Sequence, residues 1–256
     1  MEALLLASQS PRRRELLALL GLPFRVTSPD VAEVPQINEP PAELVVRLSR
    51  AKAYAAARRP GLGTVRERRG HGPCVHPYRE TRFPSTNHQP PTSNLQIRII
   101  ACDTVVALDG ELLGKPGDAG EAEAMLRRLR GRSHSVYSAI TLLEPSSGRT
   151  LTDLAETWVT MRTYTDTEIA AYVASGDPMD KAGAYAIQHA GFHPVAALHG
   201  RTANVRGCYA SVIGLPLCHL TRCLRAWGIE PPRDVPAACQ AHTEHVCTVH
   251  PTILKG

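Results

Sequence analysis

Hydroxyl and basic side chains lie close together in residues 5–17, LLASQSPRRRELL, directly after an apolar run. Ser10 is suited to cap a helix, and Pro11 is suited to its first position. A helix N-terminus attracts anions and disfavours basic side chains that lack an anionic partner. We therefore expect an anion site here, although a surface helix with a solvated basic first turn would have the same residues. The residues expected to contact the anion are Ser8, Ser10, Arg12 and Arg13, whereas Arg14 is expected to face solvent.

A second group of reactive side chains occurs in residues 101–116, ACDTVVALDGELLGKP. Asp103 and Thr104 follow the apolar residues of a predicted strand, and Lys115 ends the predicted return strand. An acid and a lysine delivered by neighbouring strands suit a metal or water site beside a phosphate site. A cross-strand salt bridge fits the same spacing equally well.

The third stretch, SGDPMDKAGAYAIQ at residues 175–188, combines charged residues with glycine and alanine. Small residues allow the backbone to approach a ligand closely, and Asp180 and Lys181 lie among them. Gln188 has both donor and acceptor groups and could bind the edge of a base. Taken alone, this loop is better described as a tight turn with a surface ion pair.

Two further patterns could bind a metal or nucleic acid. The tail sequence CQAHTEHVC offers zinc-type ligands, but their spacing matches no common zinc module. The residues concerned are Cys239, His242, His245 and Cys247. The basic segment RERRGHGPCVH lacks the interleaved aromatic residues of a nucleic-acid surface. The chain contains no Walker A, G-x-G-x-x-G, G-x-S-x-G or H-E-x-x-H motif.

Interleaved strands and helices must position these stretches, so the sequence predicts an α/β or mixed α+β fold. Strands are expected at residues 3–7, 97–108, 134–145 and 155–164, with a turn at Asp109-Gly110 followed by a short return strand. Helices are expected at residues 11–20, 40–59, 118–131 and 165–176. Residues 207–228 are expected to form a strand, a Gly-Leu-Pro break and a final helix. Residues 229–256 show no clear period.

The length and charge of the chain limit its organisation. Its 256 residues allow one large domain, and its net charge is +5. Segment 58–96 has seven arginines and two glutamates, and therefore contains the whole charge excess. It also has six prolines, four glycines and no regular period, which is typical of an insertion or flexible linker. We predict one domain over residues 1–228, interrupted by this insertion, and a C-terminal tail over residues 229–256.

The N-terminus and the cysteines indicate a cytoplasmic protein. Glu2 and a short apolar run ahead of three arginines are the wrong order for a signal peptide. No apolar run approaches the roughly 18 residues of a membrane span. The seven cysteines are odd in number and without tight pairing, which favours reduced thiols over a disulfide framework.

Together, these stretches resemble the Maf family of nucleoside triphosphate pyrophosphatases. The matching segments include LLLASQSPRRRELLALLG, VVRLSRAKA, ACDTVVALDGELLGKP, GDPMDKAGAYAIQ and SVIGLPL, in the family's order. The resemblance implies an elongated mixed sheet flanked by helices around a central cleft. It also implies cleavage between the α and β phosphates, which yields a nucleoside monophosphate and pyrophosphate. A divalent cation (Mg, Mn or Co) and a homodimer are implied as well.

The resemblance also implies individual roles. Asp103 resembles the general base that activates water. On chemical grounds, Asp103 could either orient this water or share a divalent metal with Glu33. Ser8, Ser10, Arg12 and Arg13 resemble the phosphate-binding loop and helix start. The cleft charges correspond to Glu33, Lys52 and Lys115, and base preference corresponds to Arg12, Thr104 and Gln188. The sequence DKAGAYAIQ, with Asp180 and Lys181 at or next to its start, resembles the subgroup that acts on dTTP and UTP.

Three segments depart from the family pattern: the 58–96 insertion, the long 190–207 stretch and the tail after residue 228. Two alternatives to dTTP and UTP hydrolysis therefore stay open. One is the same chemistry on modified or other nucleotides. The other is a regulator of septum formation that binds a nucleotide or nucleic acid without catalysis, although its binding surface would have no need of Asp103. On the sequence alone, neither nucleic acid nor a membrane is therefore expected as a partner.

Overall fold

A seven-stranded mixed sheet forms the centre of the computed structural model, which describes residues 3–58, 97–196 and 204–255. Its strands are β1 (Ala3–Ala7), β2 (Phe24–Thr27), β3 (Ile97–Leu108), β4 (Glu111–Leu113), β5 (Ser133–Glu144), β6 (Arg149–Thr160) and β7 (Val205–Arg206). Residues 59–96 of the predicted 58–96 insertion lie outside the described residues. So do residues 197–203 of the long 190–207 stretch.

The sheet has the order β2-β1-β3-β5-β6-β7, with β4 paired to the far part of β3. Strand β1 is parallel to both β2 and β3, whereas β5, β6 and β7 continue the sheet in antiparallel fashion. Asp109 and Gly110 both have positive φ in the turn between β3 and β4, as a two-residue hairpin turn requires. The predicted mixed α/β fold and this hairpin are confirmed.

Helices cover the sheet and follow the sequence signals in most places. The helices are α1 (Pro11–Ala18), α2 (Pro41–Ala57), α3 (Ala119–Leu129), α4 (Asp166–Ala174), α5 (Tyr209–Ile213), α6 (Leu217–Arg225), α7 (Val235–Thr243) and α8 (His250–Lys255). Two 3-10 helices, Asp177–Asp180 and Ala182–Ala184, follow α4. Asp118 caps α3 by accepting from the Glu121 N–H, and Thr165 and Glu168 form the expected capping box of α4.

One predicted element is wrong. The strand expected after residue 207 is instead the short helix α5, which ends at Gly214 with a φ of 128°. A short apolar run does not distinguish a buried strand from a buried helical turn, and tertiary contacts decide between them. Buried hydroxyl groups of β5 and β6 bond to this segment, as described below. The tail, for which no element was predicted, forms α7 and α8, and Arg222 of α6 donates to the Ile253 carbonyl at 3.0 Å.

Three clusters of buried apolar side chains hold the helices on the sheet. One joins α1 and α6 to β1, β3 and β5, and a second joins α3 and α4 to the far end of β3. The third packs alanines of α2 against β1 and β3. This arrangement places α1, α2 and the loop after α4 around the same part of β3. No helix in the described ranges is long and apolar enough to cross a membrane.

Candidate functional site

A cleft of about 470 Å³ opens where β1 ends and β3 continues. Apart from the zinc-type ligands of the tail, every residue that the sequence predicts to be catalytic, substrate-binding or metal-ligating lines it. These residues are Ser8, Ser10, Arg12, Arg13, Glu33, Lys52, Asp103, Thr104, Lys115, Asp180, Lys181 and Gln188. The tertiary structure therefore brings together the three reactive stretches, which lie far apart in the chain.

The parallel pairing of β1 and β3 explains this convergence. Ala7, the last residue of β1, pairs with Ala101, so the chain leaves β1 beside the segment that continues to Asp103. The following loop carries Ser8, whose hydroxyl accepts from the Ser10 N–H at 3.2 Å. Ser10 occupies the cap position of α1, as predicted, but its side chain makes no cap hydrogen bond. Its hydroxyl therefore does not compete with an anion for the first N–H groups of α1.

At the floor of the cleft, the Lys52 ammonium joins two carboxylates. It donates to Asp103 and, at 2.5 Å, to Glu33 Oε1. Lys115 donates to the other oxygen of Glu33 at 3.2 Å. The side chains of Lys52 and Asp103 are only 10% and 6% exposed, whereas Glu33 is 42% exposed. The deep end of the site is thus a desolvated ion pair, and its outer end is open to solvent.

The pKa values of the two carboxylates are shifted in opposite directions. Burial raises the pKa of Asp103, although Lys52 and Arg13 act in the other direction. Burial would also raise the pKa of Glu33, but hydrogen bonds and charge attraction from Lys52 and Lys115 outweigh it and lower that pKa to about 2. Asp103 is therefore the better proton acceptor of the pair, and Glu33 is the more firmly anionic group.

Arg13 is held by three protein groups at the side of the cleft. Its Nε donates to the Gly214 carbonyl at 2.9 Å, its Nη1 to Ser8 Oγ at 3.4 Å, and its Nη2 to Thr104 Oγ1 at 3.3 Å. A guanidinium has five N–H groups, so one on each terminal nitrogen is left for a ligand. Arg14 is exposed, in agreement with the expectation that it faces solvent.

The opposite wall consists of the loop after α4. Arg12 donates two hydrogen bonds to Asp180 Oδ2, each at 3.3 Å. The buried Lys181 ammonium donates to Asp180 at 2.7 Å, to Asp177 Oδ1 at 2.9 Å and to the Asp177 carbonyl. These contacts use all three of its N–H groups, so Lys181 shapes the loop in this conformation. Gln188 lines the cleft and is exposed.

Several residues of the site were missed by the sequence analysis. Asp177 lies next to predicted residues, but nothing in its spacing distinguished it from a turn residue. Gly214 lies over 100 residues from its partner Arg13 in sequence, and it contributes a backbone carbonyl, which no side-chain pattern reports. Nothing in the sequence distinguishes Ser138 from the other residues of its strand, although it is fully buried and its hydroxyl bonds to that of Thr104 at 2.8 Å.

The chain matches a known protein family over most of its length. The family described as Maf-like protein matches residues 3–227. The chain belongs to the Maf family. This match confirms the resemblance inferred from the reactive stretches, and it ends just before the α7–α8 tail.

Relatives of this Maf protein share more than a third of its residues over most of their length. A dTTP/UTP pyrophosphatase of Salinibacter ruber is 41% identical over 87% of this chain and 90% of the relative. Proteins of the same name from Myxococcus xanthus and Thermomicrobium roseum are 40% and 39% identical, over 90% and 93% of this chain. The match covers 94% of the Myxococcus xanthus protein and 91% of the Thermomicrobium roseum protein.

The carboxylates of this Maf protein can be compared with the needs of a divalent cation. Among the residues that the structure describes, no three His, Cys, Asp or Glu side chains form a group that could hold a metal ion. The available donors are the oxygens of Glu33 and Asp103, which approach the same ammonium group. Mg²⁺ is commonly held by one or two carboxylates together with substrate phosphates and water. The residues present fit a cation bound jointly with a triphosphate.

The tail cysteines gather around a separate, small cavity. Cys239, Cys247 and His245 line it together with Cys208 and Cys218 of the family domain. All of these cysteines are free thiols, and burial raises the pKa of Cys239 to about 11 and that of Cys218 to about 12. Neutral thiols are poor metal ligands, and these side chains do not form a group of three or more that could hold a metal ion in the described part of the chain. The arrangement therefore gives no support to a zinc site.

Proposed function

We propose that this Maf protein hydrolyses nucleoside triphosphates, with dTTP and UTP preferred, to nucleoside monophosphate and pyrophosphate. The observation that carries the proposal is a buried carboxylate of raised pKa, Asp103, at the floor of a cleft whose walls present basic groups. A triphosphate has about four negative charges near neutral pH, so it needs such a cationic lining. Relatives that share most of the chain have the name dTTP/UTP pyrophosphatase.

Asp103 is the proposed general base. The carboxylate oxygen that does not bond to Lys52 would accept a proton from a water molecule as the water oxygen bonds to the α-phosphorus. The bond between that phosphorus and the oxygen bridging to the β-phosphate breaks, and pyrophosphate leaves with the bonding electrons. Lys52 fixes the orientation of the carboxylate through its hydrogen bond and lies close enough to stabilise developing negative charge.

The helix start and the arginines are the proposed triphosphate site. The Ser8–Ser10 loop, the first N–H groups of α1 and the two remaining Arg13 N–H groups face the same cleft. Arg12 would contact phosphate or base from the opposite side, where Asp180 now holds it. Thr104 and Gln188 supply polar groups for recognition of the base, and Lys181 holds the loop that carries Asp180.

A divalent cation (Mg, Mn or Co) is proposed as the cofactor, with Glu33 and Asp103 as its protein ligands. When bound, such a cation neutralises phosphate charge and polarises the phosphorus–oxygen bonds. Glu33 suits this role because its pKa of about 2 keeps it ionised at any physiological pH. Lys115 would balance its charge at the open side of the cleft.

The test is pyrophosphate release with a panel of nucleoside triphosphates in the presence of Mg²⁺, Mn²⁺ or Co²⁺. We expect turnover of dTTP and UTP to exceed that of dATP, dGTP and 7-methyl-GTP. Asp103→Asn should reduce turnover at least about 1000-fold while the circular dichroism spectrum is unchanged. Wild-type turnover by this variant, or preferred turnover of a purine nucleotide, would refute the assignment.

We also propose a cytoplasmic homodimer, as the family resemblance implies, built on one domain over residues 1–228. Light scattering on the purified full chain measures the mass directly, and a mass of one chain would refute the dimer. Fluorescence microscopy of the tagged full chain in its native cell tests the location, and a signal at the cell envelope would contradict it.

A further inference from the structure

A chain of hydrogen bonds through the hydroxyl groups of Thr104 and Ser138 connects the cleft to the sheet behind it. Arg13 Nη2 lies 3.3 Å from Thr104 Oγ1, which lies 2.8 Å from Ser138 Oγ. Ser138 Oγ in turn lies 2.6 Å from the carbonyl oxygen of Ser211 in α5. Ser138 and Ser211 are fully buried, whereas Thr104 is half-buried and lines the cleft.

The direction of each hydrogen bond in this chain follows from the chemistry of its two ends. A guanidinium can only donate, and a carbonyl oxygen can only accept. Ser138 therefore gives its proton to Ser211, and Thr104 must give its own proton to Ser138. The lone pairs of Thr104 consequently face Arg13, which is the orientation that the guanidinium needs. Without the Ser138 hydroxyl, Thr104 would lose the acceptor that holds its hydroxyl in this orientation, and its side chain could rotate away from Arg13.

The far end of the chain is firmly held. Ser211 Oγ donates to the Cys208 carbonyl at 2.6 Å, and Thr157 Oγ1 lies 2.8 Å from Ser211 Oγ. The last carbonyls of the short helix α5 have no intrahelical donor, as at any helix C-terminus. Ser138 supplies a donor for Ser211, and Arg13 Nε supplies one for Gly214 at 2.9 Å. Arg13 is thus held from both sides by α5, once directly and once through the hydroxyl chain.

We propose that Ser138 is a positioning residue for the triphosphate, acting through Thr104 on Arg13. This inference rests on the proposed function, because Arg13 is the group that would contact the phosphates. Ser138 itself does not line the cleft. Its hydroxyl fixes the Thr104 rotamer, Thr104 fixes the plane of the Arg13 guanidinium, and the two remaining N–H groups of Arg13 are thereby held toward the ligand.

The experiment is a double-mutant cycle on the full chain, with Ser138→Ala and Arg13→Lys made singly and together. Ser138→Ala should raise the KM for dTTP about tenfold and change kcat less than about twofold, because Arg13 contacts ground state and transition state alike. In the Arg13→Lys background the same change should alter kcat/KM less than about twofold, because no guanidinium is left to position. An equal loss in both backgrounds would overturn the proposal.

Matched variants separate positioning from loss of a buried hydroxyl in general. Ser138→Thr keeps the hydroxyl and should stay within about twofold of the wild-type KM. Thr221→Val removes a fully buried hydroxyl that bonds to the Leu217 carbonyl, and because neither residue lines the cleft it should leave KM unchanged. If Ser138→Ala does not fold, Ser138→Cys takes its place in the cycle, because a thiol is a much weaker donor and acceptor. Equal KM values for Ser138→Ala and Thr221→Val would also overturn the proposal.

A binding measurement keeps this test independent of turnover. Calorimetry measures the affinity for inorganic tripolyphosphate of the wild type, Ser138→Ala, Arg13→Lys and the double variant. A wild-type protein that binds tripolyphosphate without hydrolysing any nucleotide would refute the proposed function alone. The positioning role then stands if Ser138→Ala weakens binding about tenfold only when Arg13 is present. Absence of tripolyphosphate binding to the wild type, or equal weakening in both backgrounds, would overturn the positioning role.

Discussion

The buried ammonium of Lys52 donates a hydrogen bond to the carboxylate of Asp103 at the floor of the cleft. Lys52 lies on α2 and Asp103 on β3, so this bond ties a helix to the strand that carries the proposed base. It also explains why a carboxylate with little solvent contact can be ionised at all, since an unpaired buried charge is strongly disfavoured. Stability and activity are therefore coupled at this pair.

Lys52→Met tests that coupling. Removal of the ammonium leaves Asp103 buried without its cation, which should lower the free energy of unfolding by about 3 kcal/mol and reduce kcat at least about 100-fold. Urea denaturation and pyrophosphate release measure the two effects. In the double variant with Asp103→Asn, stability should largely recover while activity does not. Full stability of Lys52→Met alone would show that the pair is not a significant structural contact.

The loop after α4 offers a contrast between a buried and an exposed ion pair. Lys181→Met removes an ammonium that is 8% exposed and makes three hydrogen bonds, so it should destabilise the protein by about 2 to 3 kcal/mol. Arg12→Gln breaks a pair whose partner Asp180 is 62% exposed, and it should change stability by less than about 1 kcal/mol.

Kinetics distinguish the same two loop variants. Arg12→Gln should raise the KM for dTTP if Arg12 contacts substrate, despite its small effect on stability. Thermal unfolding and steady-state kinetics on both proteins provide the comparison. The account of this loop is wrong if Arg12→Gln destabilises the protein as much as Lys181→Met does.

His134 should make stability depend on pH. It is buried, bonds to the Tyr185 hydroxyl at 2.7 Å through Nε2, and its Nδ1 has no partner among the described residues. Burial lowers its pKa from 6.5 to about 4. Because the folded pKa lies below the unfolded value, folding favours the neutral imidazole of His134. The stability that depends on this neutral form is fully present above about pH 6.5 and is lost as the pH falls toward 4. The loss should reach about 1.4 kcal/mol at about pH 5.5.

His134→Gln isolates that contribution, because glutamine does not titrate and can still bond to Tyr185. Urea denaturation between about pH 8 and pH 5.5 should show a smaller decline in the free energy of unfolding for the variant than for the wild type, by about 1.4 kcal/mol. Carboxylate contributions are common to both proteins and cancel in the difference. Parallel pH profiles would show that His134 is not neutral in the folded state.

The cysteine-lined cavity should behave as a set of unreactive thiols without a structural metal. Because burial raises the pKa of Cys239 to about 11, this half-buried thiol should react with Ellman's reagent at neutral pH far more slowly than a free cysteine does. Dialysis against EDTA and 1,10-phenanthroline should leave the unfolding temperature of the substrate-free protein unchanged. A fall of more than about 5 °C, with recovery on added Zn²⁺, would contradict this interpretation.

The basic segment separates an enzyme from a nucleic-acid binder. Replacement of residues 59–96 by a flexible linker of about ten Gly and Ser residues should leave turnover of dTTP within about threefold, because the reactive stretches lie elsewhere in the sequence. A nucleic-acid-binding regulator would instead lose affinity and salt dependence with these arginines. Fluorescence anisotropy with a DNA duplex, recorded at several salt concentrations, measures that property directly.

The sequence by itself determined the local features of this protein. Asp109-Gly110 specifies a tight hairpin, Asp118 a helix cap, and Thr165 with Glu168 a capping box, because each depends on backbone geometry within a few residues. The clustering of serine and arginine at the start of α1 indicated an anion site for the same reason. The family resemblance added Glu33 and Lys52, which no local pattern marked.

The tertiary structure alone decided how distant residues act on one another. Parallel pairing of β1 with β3 brings the Ser8 loop to Asp103, and packing of α2 on β3 brings Lys52 between two carboxylates. Only then does burial raise one pKa and charge attraction lower the other. The helix at α5, and the hydroxyl chain that ends on it, likewise depend on hydrogen bonds across more than 70 residues. Such bonds leave no periodic trace in the chain, because their partners are set by the fold and not by spacing.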